Sequence, residues 1–423
     1  MEHLFQVFLR SSGVNTDSRA VKRGEMFFAL KGDKFDGNLY AAQALEAGAS
    51  AVVVDNPDVV ENEQYILVEN TLEALQELAR WYRRHLKLPV VGITGSNGKT
   101  TTKELIAAVL STQYATEYTR GNLNNHIGVP LTLLRIPRSA VMAVIEMGAN
   151  HPGEIDFLSR IAQPTIGLIT NIGKAHLEGF GGFEGVVRTK TELYRFIHET
   201  HGKVFVNGSD PLLMTHSEGM DRIVYNHPDA EVRGEILNDE GLLKIRLDIG
   251  QNSHEIQTQL IGSYNLPNLT AAAAIGHHFG IKAENIAAAL MVYTPANNRS
   301  QLMITANNRV IMDAYNANPS SMQAALQSFM KQPWQPKTVI LGEMLELGDD
   351  SRNEHEQIAK MATSGGFEKV FFTGEGFREV QGGMWFENTL ALKEYLSLHP
   401  LKGHLILVKG SRGNQLEQIT DVL

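Results

Sequence analysis

The sequence predicts an α/β protein of three domains, and three observations support this. The chain has 423 residues, which is more than one ordinary core accommodates at roughly 150 residues per domain. Short apolar runs alternate with amphipathic stretches from about Val52 onward, as in a mostly parallel sheet with helices on both faces. Proline and paired asparagines predict linkers near 86–88 and 294–298. We therefore place the domains at 1–86, 87–296 and 297–423.

The main parallel sheet is expected in the second domain. Buried strands are predicted at 90–94, 141–147, 165–170 and 203–206. Apolar residues at helical spacing predict helices at 101–110, 154–161 and 184–197. This alternation of strand and helix is typical of parallel strands joined by crossover helices.

The stretch 231–261 departs from that alternation. Its runs at 242–247 and 255–260 predict antiparallel strands appended to the parallel sheet, and helices are expected at 269–279 and 283–291. A second α/β series begins near Leu302. Its strands are predicted at 309–312, 338–341, 369–372 and 405–408.

The composition restricts the classes of function. A formal charge of −9 lacks the basic excess of a general nucleic-acid binder. The absence of cysteine excludes disulfides, thiolate metal sites and cysteine nucleophiles. The first residues lack the pattern of a signal peptide, and no apolar run approaches the ~18 residues of a membrane span. We expect a soluble, cytoplasmic protein that acts as a monomer.

A glycine-rich segment follows the first predicted strand of the second domain and opens a helix. Residues 92–102 read Gly-Ile-Thr-Gly-Ser-Asn-Gly-Lys-Thr-Thr-Thr. Glycines let backbone N–H groups face phosphates, the helix N-terminus adds positive potential, and Lys99 would reach the β- and γ-oxygens. Ile93 stands where the strict P-loop has glycine, so the match is to a variant. The alternative is a glycine-rich turn with an incidental lysine.

The segment 94–101 resembles the phosphate loop of the Mur ligase family, T-G-[ST]-N-G-K-T-[ST]. Further segments resemble the member that adds D-alanyl-D-alanine to UDP-N-acetylmuramoyl-tripeptide. They are 121–134, 146–155, 170–178, 313–322, 341–348 and 408–412. Residues 16–19 resemble the UDP-binding N-terminal domain of the family. Asn38 departs from the histidine that related ligases often carry after Asp-Gly, which leaves the uracil contacts open.

The resemblance implies a small UDP-binding α/β domain, a central P-loop ATPase domain and a Rossmann-like C-terminal domain. It also implies a two-step reaction. ATP phosphorylates a carboxylate to give an acyl phosphate, and an amine then displaces phosphate. The implied product is UDP-N-acetylmuramoyl-pentapeptide, a precursor of peptidoglycan, and the third residue of the peptide stays open between lysine and diaminopimelate.

The resemblance implies a catalytic set of Lys99, Glu146, His176 and Lys190. Thr100 and Glu146 would hold one Mg²⁺, since a hard cation prefers oxygen ligands, and His176 would hold a second. Lys190 resembles a lysine that the family carbamylates, so a CO₂-derived carbamate would hold metal there. The structural alternatives are an ion-paired carboxylate for Glu146, a satisfied polar residue for His176 and a solvated helix lysine for Lys190.

The resemblance also implies an ATP site made by two domains. Its residues would be Gly95, Ser96, Asn97, Gly98, Lys99, Thr100, Thr101, Asn265, Asn268, Arg299 and Asp313. The two asparagines 265 and 268 would touch adenine, Arg299 the phosphates and Asp313 the ribose. Helix capping is the structural alternative for the asparagines. Contacts from two domains imply closure around ATP.

The remaining implied contacts are with the peptide substrates. Ser18 and Arg19 would hold the UDP end, because an arginine fork suits a diphosphate. Asn124 and Asn125 would face the muropeptide. The residues implied to receive D-alanyl-D-alanine are Tyr315, Asn316 and Asn318. An ordinary turn and helix cap is the alternative for 316–319. Neither nucleic acid nor a membrane is an expected partner.

Two rival functions follow from the same residues. The nearer is a sister amide ligase with another acceptor, such as the ligase that adds the third amino acid, folylpolyglutamate synthase or a cyanophycin-type ligase. Segments 121–134 and 343–348 favour the D-alanyl-D-alanine acceptor. The other rival is a P-loop switch without ligase chemistry. A GTPase would need [NT]-K-x-D, and the nearest string, at 189–192, ends in glutamate within a predicted helix.

Overall fold

The computed structural model describes residues 2–295 and 298–423. The sheets lie in three successive stretches of chain, at 14–67, 90–261 and 301–409. The predicted boundary at 296/297 and part of the predicted linker 294–298 lie outside the described residues. No helix in the described ranges combines the length and apolar character that a membrane crossing needs.

The N-terminal stretch contains a parallel sheet of order β1-β2-β5-β6 and a small hairpin, β3-β4. Its elements are α1 Glu2–Arg10, β1 Val14–Asn15, β2 Met26–Phe28, β3 Lys31–Gly32, β4 Phe35–Asp36, α2 Ala41–Glu46, β5 Ala51–Val54, β6 Tyr65–Leu67 and α3 Thr71–His85. Helix α3 starts where the Asn70 side chain accepts from Glu73 N. Near its end the buried Arg83 donates to the carbonyls of Ala162 and Gln163, which fastens this stretch to the next.

The central parallel sheet has the order β12-β11-β10-β7-β9-β8. Its elements are β7 Val90–Thr94, α4 Lys99–Leu110, β8 Thr116–Tyr118, α5 Gly128–Leu134, β9 Met142–Glu146, α6 Glu154–Ala162, β10 Ile166–Ile169, α7 Leu177–Phe180, α8 Phe183–Lys190, α9 Glu192–Glu199, β11 Lys203–Asn207, α10 Pro211–His216 and β12 Arg222–Tyr225. The strand order reverses between β7 and β10, where open sheets of this kind bind ligands outside the strand ends.

The helix predicted at 184–197 is wrong as one element, because the structure has two helices that meet at Thr191. The Thr191 hydroxyl donates to the carbonyls of Val187 and Arg188, at 2.9 and 3.1 Å. Such back-bonding competes with the helical ladder and bends helices. The break leaves Lys190 as the last residue of α8.

The appended antiparallel strands are confirmed, and they form a sheet of their own with the order β13-β14-β15. The elements are β13 Val232–Asn238, β14 Leu242–Ile249, β15 Asn252–Ile261, α11 Leu266–His278 and α12 Ala283–Val292. Helix α11 packs between the two sheets and against α4. Its four consecutive alanines, 271–274, are all buried, which lets these elements approach closely.

The C-terminal stretch has one mixed sheet of order β16-β17-β21-β18-β19-β20, in which only β16 runs antiparallel to its neighbour. Its elements are β16 Gln301–Ile304, β17 Arg309–Asp313, α13 Pro319–Met330, β18 Lys337–Gly342, α14 Ser351–Ser364, β19 Lys369–Thr373, β20 Met384–Phe386, α15 Thr389–Leu398 and β21 Leu405–Lys409. The carboxyl ends of β17 and β21 face the central sheet across a cleft.

Candidate functional site

The cleft has a volume of about 730 Å³ and gathers most of the predicted site residues. Those that line it are Ser96, Asn97, Gly98, Lys99, Thr100, Thr101, Asn124, Asn125, Glu146, His176, Asn265, Asn268, Arg299, Asp313, Tyr315 and Asn316. Five predicted residues do not line it: Ser18, Arg19, Gly95, Lys190 and Asn318. One wall comes from the central stretch and the other from the C-terminal stretch.

Two glycines shape the predicted phosphate loop between β7 and α4. Gly95 has φ +143° and Gly98 has φ +77°, conformations that disfavour other residues. A Cβ on Gly95 would overlap the Thr170 hydroxyl, and one on Gly98 would lie 2.8 Å from Asn268 Oδ1. Gly98 caps α4 without a side-chain bond, which leaves the first N–H groups of the helix available to an anion.

The loop is held from below by the segment that follows β10. Asn97 N donates to Asn171 Oδ1 at 3.0 Å, and Asn171 Nδ2 donates back to Asn97 O at 3.0 Å. Ser96 N donates to Asn171 O at 3.0 Å, and the Ser96 hydroxyl donates to Gly173 O at 3.0 Å. These four hydrogen bonds hold the shape of the loop.

Lys99 is the first residue of α4, and its ammonium folds back over the loop. Its Nζ donates to Gly95 O at 2.8 Å and to Ser96 O at 3.2 Å. Burial lowers the pKa of Lys99, and the nearby Glu146 opposes that shift. The ammonium occupies the centre of the loop, where a phosphate oxygen could replace the carbonyls as its partner.

Glu146 ends β9 and is only 1% exposed. Its Oε2 accepts from the Thr100 hydroxyl at 2.9 Å, and its Oε1 accepts from Asn124 Nδ2 at 2.8 Å. Asn125, beside Asn124, accepts from the N–H groups of Ile127 and Gly128 and so fixes the start of α5. Asn125 is exposed. Its side chain shapes the turn before α5, and the residue also lines the cleft.

The pair formed by Thr100 and Glu146 suits Mg²⁺, because a hydroxyl and a carboxylate are hard oxygen ligands. In the described part of the chain no three His, Asp or Glu side chains converge closely enough to hold a metal alone. This is what Mg²⁺ tolerates, since it commonly takes one or two protein ligands together with phosphates and water. The donor set therefore fits a cation that arrives with a nucleotide.

Lys103 lies behind the carboxylate of Glu146. Its side chain is fully buried, and Nζ is 3.8 Å from Glu146 Oε2 and 3.7 Å from Glu104 Oε1. Among the described residues Nζ has no hydrogen-bond partner, and burial lowers its pKa. Lys103 stands four residues after Lys99 on the same helix, and this spacing is the sequence signal that could have identified it.

His176 precedes α7 and has φ +51°, in the left-handed region. Its Nδ1 forms a hydrogen bond with the carboxylate of Glu346, which belongs to the C-terminal stretch. That hydrogen bond lowers the pKa of Glu346. His176 lines the cleft, so its imidazole touches both the site and the opposite domain.

Lys190 is only 1% exposed, which excludes the alternative of a solvated helix lysine. Its Nζ lies 5.1 Å from the centre of the Phe180 ring. Burial lowers the pKa of Lys190 well below its ordinary value, and the charge of Lys99 lowers it further. A buried amine with a depressed pKa is held towards its neutral form, which is the form that reacts with CO₂.

Asn265 and Asn268 lie at the start of α11 but do not cap it with their side chains. Asn265 Nδ2 donates to Ile261 O, and Asn268 Nδ2 donates to Asn265 Oδ1 at 3.1 Å. Asn268 Oδ1 accepts from the Thr102 hydroxyl at 3.0 Å. The capping alternative is therefore wrong for this pair, and Asn268 instead lies against Gly98 of the phosphate loop.

The C-terminal wall presents a cation on an aromatic ring. The Arg299 guanidinium lies 3.7 Å from the centre of the Tyr315 ring. Asp313, at the end of β17, accepts from Lys409 Nζ at 2.6 Å and from Ser300 N at 3.2 Å. Lys409 also lines the cleft. Sequence analysis did not assign it a role, although it lies in the quoted segment 408–412.

Asn318 caps α13, as the structural alternative for 316–319 expects. Its Oδ1 accepts from Ser321 N at 2.9 Å, and its Nδ2 donates to Asn97 Oδ1 at 2.8 Å. The second bond joins the C-terminal stretch to the phosphate loop. Asn316 Oδ1 accepts from Ala317 N, so it shapes the turn at the cleft wall. The predicted contacts of both residues with substrate stay predictions.

Ser18 and Arg19 stand apart from the cleft on an N-terminal turn. Arg19 is exposed and forms a two-bond pair with Asp17, at 2.9 and 2.8 Å. The Arg19 hydrogen bonds lower the pKa of Asp17 to about 2. Asn38 is buried, and its side chain donates to the carboxylates of Asp36 and Asp55, so it links the end of β4 to the residue after β5.

The chain is similar in sequence to known proteins along most of its length. Three family models match: the Mur ligase family catalytic domain at 10–83, the Mur ligase middle domain at 93–276 and the Mur ligase glutamate ligase domain at 298–412. A Bacillus subtilis protein named UDP-N-acetylmuramoyl-tripeptide–D-alanyl-D-alanine ligase is 38% identical, with 96% of this chain and 92% of the relative covered.

Two solved structures have a similar fold along nearly the whole chain. A crystal structure of MurF from Acinetobacter baumannii aligns with a TM-score of 0.88 at 32% identity, covering 99% of this chain and 97% of that one. A MurF ligase structure from Thermotoga maritima in complex with ADP aligns with a TM-score of 0.87 at 25% identity. That alignment covers 98% of this chain and 97% of the other.

Proposed function

The chain belongs to the Mur ligase family, and from this premise we propose that it joins D-alanyl-D-alanine to UDP-N-acetylmuramoyl-tripeptide. It is an ATP-dependent, ADP-forming ligase of peptidoglycan synthesis, and its product is UDP-N-acetylmuramoyl-pentapeptide. One observation carries the proposal. Lys99, Thr100 and Glu146 line the same cleft as Tyr315 and Asn316. The proposed setting is the cytoplasm.

The proposed reaction has two balanced steps. A carboxylate oxygen of the tripeptide attacks the γ-phosphorus of ATP, ADP leaves, and an acyl phosphate forms. The amine of D-alanyl-D-alanine then attacks the acyl carbon, phosphate leaves with its bond to the carboxyl oxygen intact, and the amine loses a proton. Activation is needed because a carboxylate would otherwise have to expel an oxide.

Phosphoryl transfer needs positive charge and rigid positioning more than covalent help from the protein. Lys99 supplies charge from inside the loop, and the glycine backbone and Asn171 hold that loop in shape. Arg299 approaches from the opposite wall, where Tyr315 supports its guanidinium. In the proposal Arg299 contacts the phosphates when the cleft closes on ATP.

Two residues on adjacent elements would hold the first Mg²⁺, namely Thr100 and Glu146. His176 and a carbamate on Lys190 would be ligands of the second ion. When bound, Mg²⁺ neutralises the charge that gathers on the β- and γ-phosphates. Asn124 keeps the Glu146 carboxylate oriented in the absence of an ion.

The carbamate on Lys190 is a separate part of the proposal. The burial of Lys190 and its lowered pKa support it, because both favour a neutral amine. Enzyme equilibrated with ¹³C-bicarbonate is expected to show one carbamate signal that the K190R variant lacks, together with loss of activity in K190R. An unmodified Lys190 in fully active, CO₂-equilibrated enzyme would contradict it.

The remaining proposed contacts divide the substrates between the walls. Asn265 and Asn268 would meet adenine and Asp313 the ribose, while Ser18 and Arg19 would hold the UDP end. Asn124 and Asn125 would face the muropeptide. The acceptor dipeptide would meet Tyr315, Asn316 and Asn318. We also propose domain limits of 1–86, 87–296 and 297–423, and a monomer, which sedimentation of the free chain would check.

The test is phosphate release from ATP with UDP-N-acetylmuramoyl-tripeptide, with and without D-alanyl-D-alanine, with the product identified by mass. Release that requires the dipeptide and yields the pentapeptide is the expected result, and the E146Q variant is the matched negative control. Release supported by a different amine but not by the dipeptide would transfer the proposal to a sister amide ligase. ATP binding without release for any amine would favour the P-loop switch.

A further inference from the structure

The segment 341–348 resembles its counterpart in the family, but none of its residues has a role in the proposed reaction. It follows β18 and carries Glu346 towards the loop after β10 that carries His176. These loops belong to different domains. Their meeting is therefore a property of the docked arrangement and not of either domain alone.

Several contacts join the two loops. His176 Nδ1 and the Glu346 carboxylate form a hydrogen bond, and Glu178 N approaches Glu346 O at 3.4 Å. Gly348 has φ +56°, and a Cβ there would lie 3.4 Å from the Glu178 side chain. The two loops thus approach closely at Glu178, beside the His176 to Glu346 bond.

Both partners of that bond have an unusual backbone. His176 has φ +51° and Glu346 has φ +63°, and non-glycine residues seldom adopt this region. Such conformations persist where the surroundings determine them, and they cluster at functional sites. Two of them face each other here across a domain interface, at the edge of the cleft.

We propose that Glu346, which belongs to the C-terminal domain, is a positioning residue. It orients His176 of the central domain so that the imidazole can ligate a cation. An ionised carboxylate can only accept, so Nδ1 donates this hydrogen bond, and Nε2 is the ring nitrogen left for a ligand. A carboxylate behind a ligating histidine fixes the tautomer and the ring orientation. This inference rests on the proposed metal role of His176.

The consequence is that the second cation site is complete only when the C-terminal domain is docked. By linkage, a cation on His176 favours the docked arrangement as much as docking favours the cation. Lys174 and Glu354 form another ion pair across the same interface, at 2.6 Å. That pair offers a matched control, because it joins the same two domains without involving His176.

The first experiment needs neither metal nor nucleotide. Long-range ¹H–¹⁵N spectra of the full chain report the tautomer of His176, identified by the signals that H176N removes. The expected result is protonation at Nδ1 in the unaltered chain and in E354Q, and loss of that single tautomer in E346A. Protonation at Nε2 in the unaltered chain would overturn the inference.

The second experiment measures Mn²⁺ affinity by electron paramagnetic resonance in the presence of a non-hydrolysable ATP analogue. E346A is expected to weaken binding at one of the two sites by about 10- to 100-fold. E346Q should restore part of the affinity, because its amide oxygen can still accept from Nδ1, and E354Q should match the unaltered chain. Equal losses in E346A and E354Q would mean general undocking and would overturn the inference.

These outcomes are distinct from failure of the proposed function. A chain that ligates some other amine would still show the Nδ1 tautomer and the selective loss of Mn²⁺ affinity in E346A. Conversely, a normal pentapeptide product with unchanged Mn²⁺ affinity in E346A would leave the ligase proposal intact and contradict the role of Glu346.

Discussion

The phosphate loop and the turn that carries Ser18 and Arg19 are both expected to bind phosphates, but they are built differently. The loop is partly buried, uses glycines with positive φ, and is braced by Asn171. Arg19 instead projects into solvent, and its side chain hydrogen-bonds to its neighbour Asp17. The first segment is therefore held by buried contacts from another part of the chain, whereas the Arg19 side chain is held by a residue of its own turn.

This difference separates two kinds of energetic effect. Groups that are rigid and desolvated stabilise charge as it develops in a transition state, and they act mainly on kcat. Groups that are mobile and exposed contribute binding to ground state and transition state alike, and they act mainly on KM. Replacements of Lys99 and of Arg19 test this division directly.

Replacement of Lys99 by methionine should lower kcat for phosphate release by roughly a thousandfold, because a preorganised charge at the phosphoryl group is lost. The free energy of unfolding should fall modestly, because the carbonyls of Gly95 and Ser96 lose a donor. Lys337 is a matched control, because it also donates to two backbone carbonyls, those of Met330 and Gln332.

The K337M variant should lose stability in the same way but retain kcat, because its two carbonyls lose their donor at a place that does not line the cleft. Steady-state kinetics and thermal melts of both variants measure this contrast. A K99M enzyme with near-normal kcat would contradict the preorganised loop.

Replacement of Arg19 by alanine should raise KM for the UDP substrate about tenfold or more while kcat stays close to its original value. R378A is the control, because Arg378 is also exposed and paired with a nearby acid, Glu375, at 2.8 Å. Initial rates at varied UDP-substrate concentration separate the two parameters. A fall in kcat with unchanged KM would show that Arg19 belongs with the rigid class.

The bond between Asn97 and Asn318 tests whether the loop is braced from the C-terminal side too. N318S keeps a capping oxygen for α13 but loses the partner of Asn97, so it should cost about 1 kcal/mol of unfolding free energy. In a double-mutant cycle with N97A the two losses should not add. Asn388 caps α15 in the same way, through Ala391 N.

N388S should therefore cost little, since a serine cap replaces an asparagine cap of similar strength. Denaturant unfolding of the single and double variants supplies the cycle. Fully additive losses for N97A and N318S would show that the bond across the domains contributes nothing in solution.

The smallest effect concerns pH and the loop that carries Glu346. His355 is buried, and its Nε2 accepts from Met344 N at 2.9 Å, so it is held neutral. Burial lowers the pKa of His355 below its ordinary value of 6.5. The unfolded chain then binds more protons than the folded chain in the interval between the two pKa values.

The stabilisation from neutral His355 is therefore fully present above pH 6.5 and is lost as the pH falls through the lower, folded pKa. The H355Q variant should lose this part of the pH dependence, and the H399Q variant, at an exposed histidine, should keep it. Unfolding free energies measured across that interval decide between them. An unaltered slope in H355Q would contradict the assignment.

Local features were predictable from the sequence. The loop 94–101 and the strands around it are specified by neighbouring residues, and the expected strands of the central and C-terminal sheets form within a few residues of their predicted limits. Asn124 and Glu146 were predictable as site residues because both lie in segments that resemble one family. Their mutual hydrogen bond required the fold.

Features that depend on distant residues were not predictable. The bond of Asn318 to Asn97 is one example, because the two residues lie 221 positions apart in the chain. Glu346 had no assigned role until the docked domains placed it on His176. The short N-terminal strands, of two to four residues, are too brief to give a periodic pattern. The helix break at Thr191 depends on one hydroxyl.

The most direct test of the account follows the carboxylate oxygen. UDP-N-acetylmuramoyl-tripeptide is labelled with ¹⁸O in the carboxyl group that is to be joined to the amine. It is then turned over with ATP and D-alanyl-D-alanine, and the mass of the released phosphate is measured. An acyl phosphate formed in this cleft transfers one labelled oxygen to each phosphate. Phosphate without label would mean that water, and not the carboxylate, attacks ATP, and it would contradict the ligase mechanism.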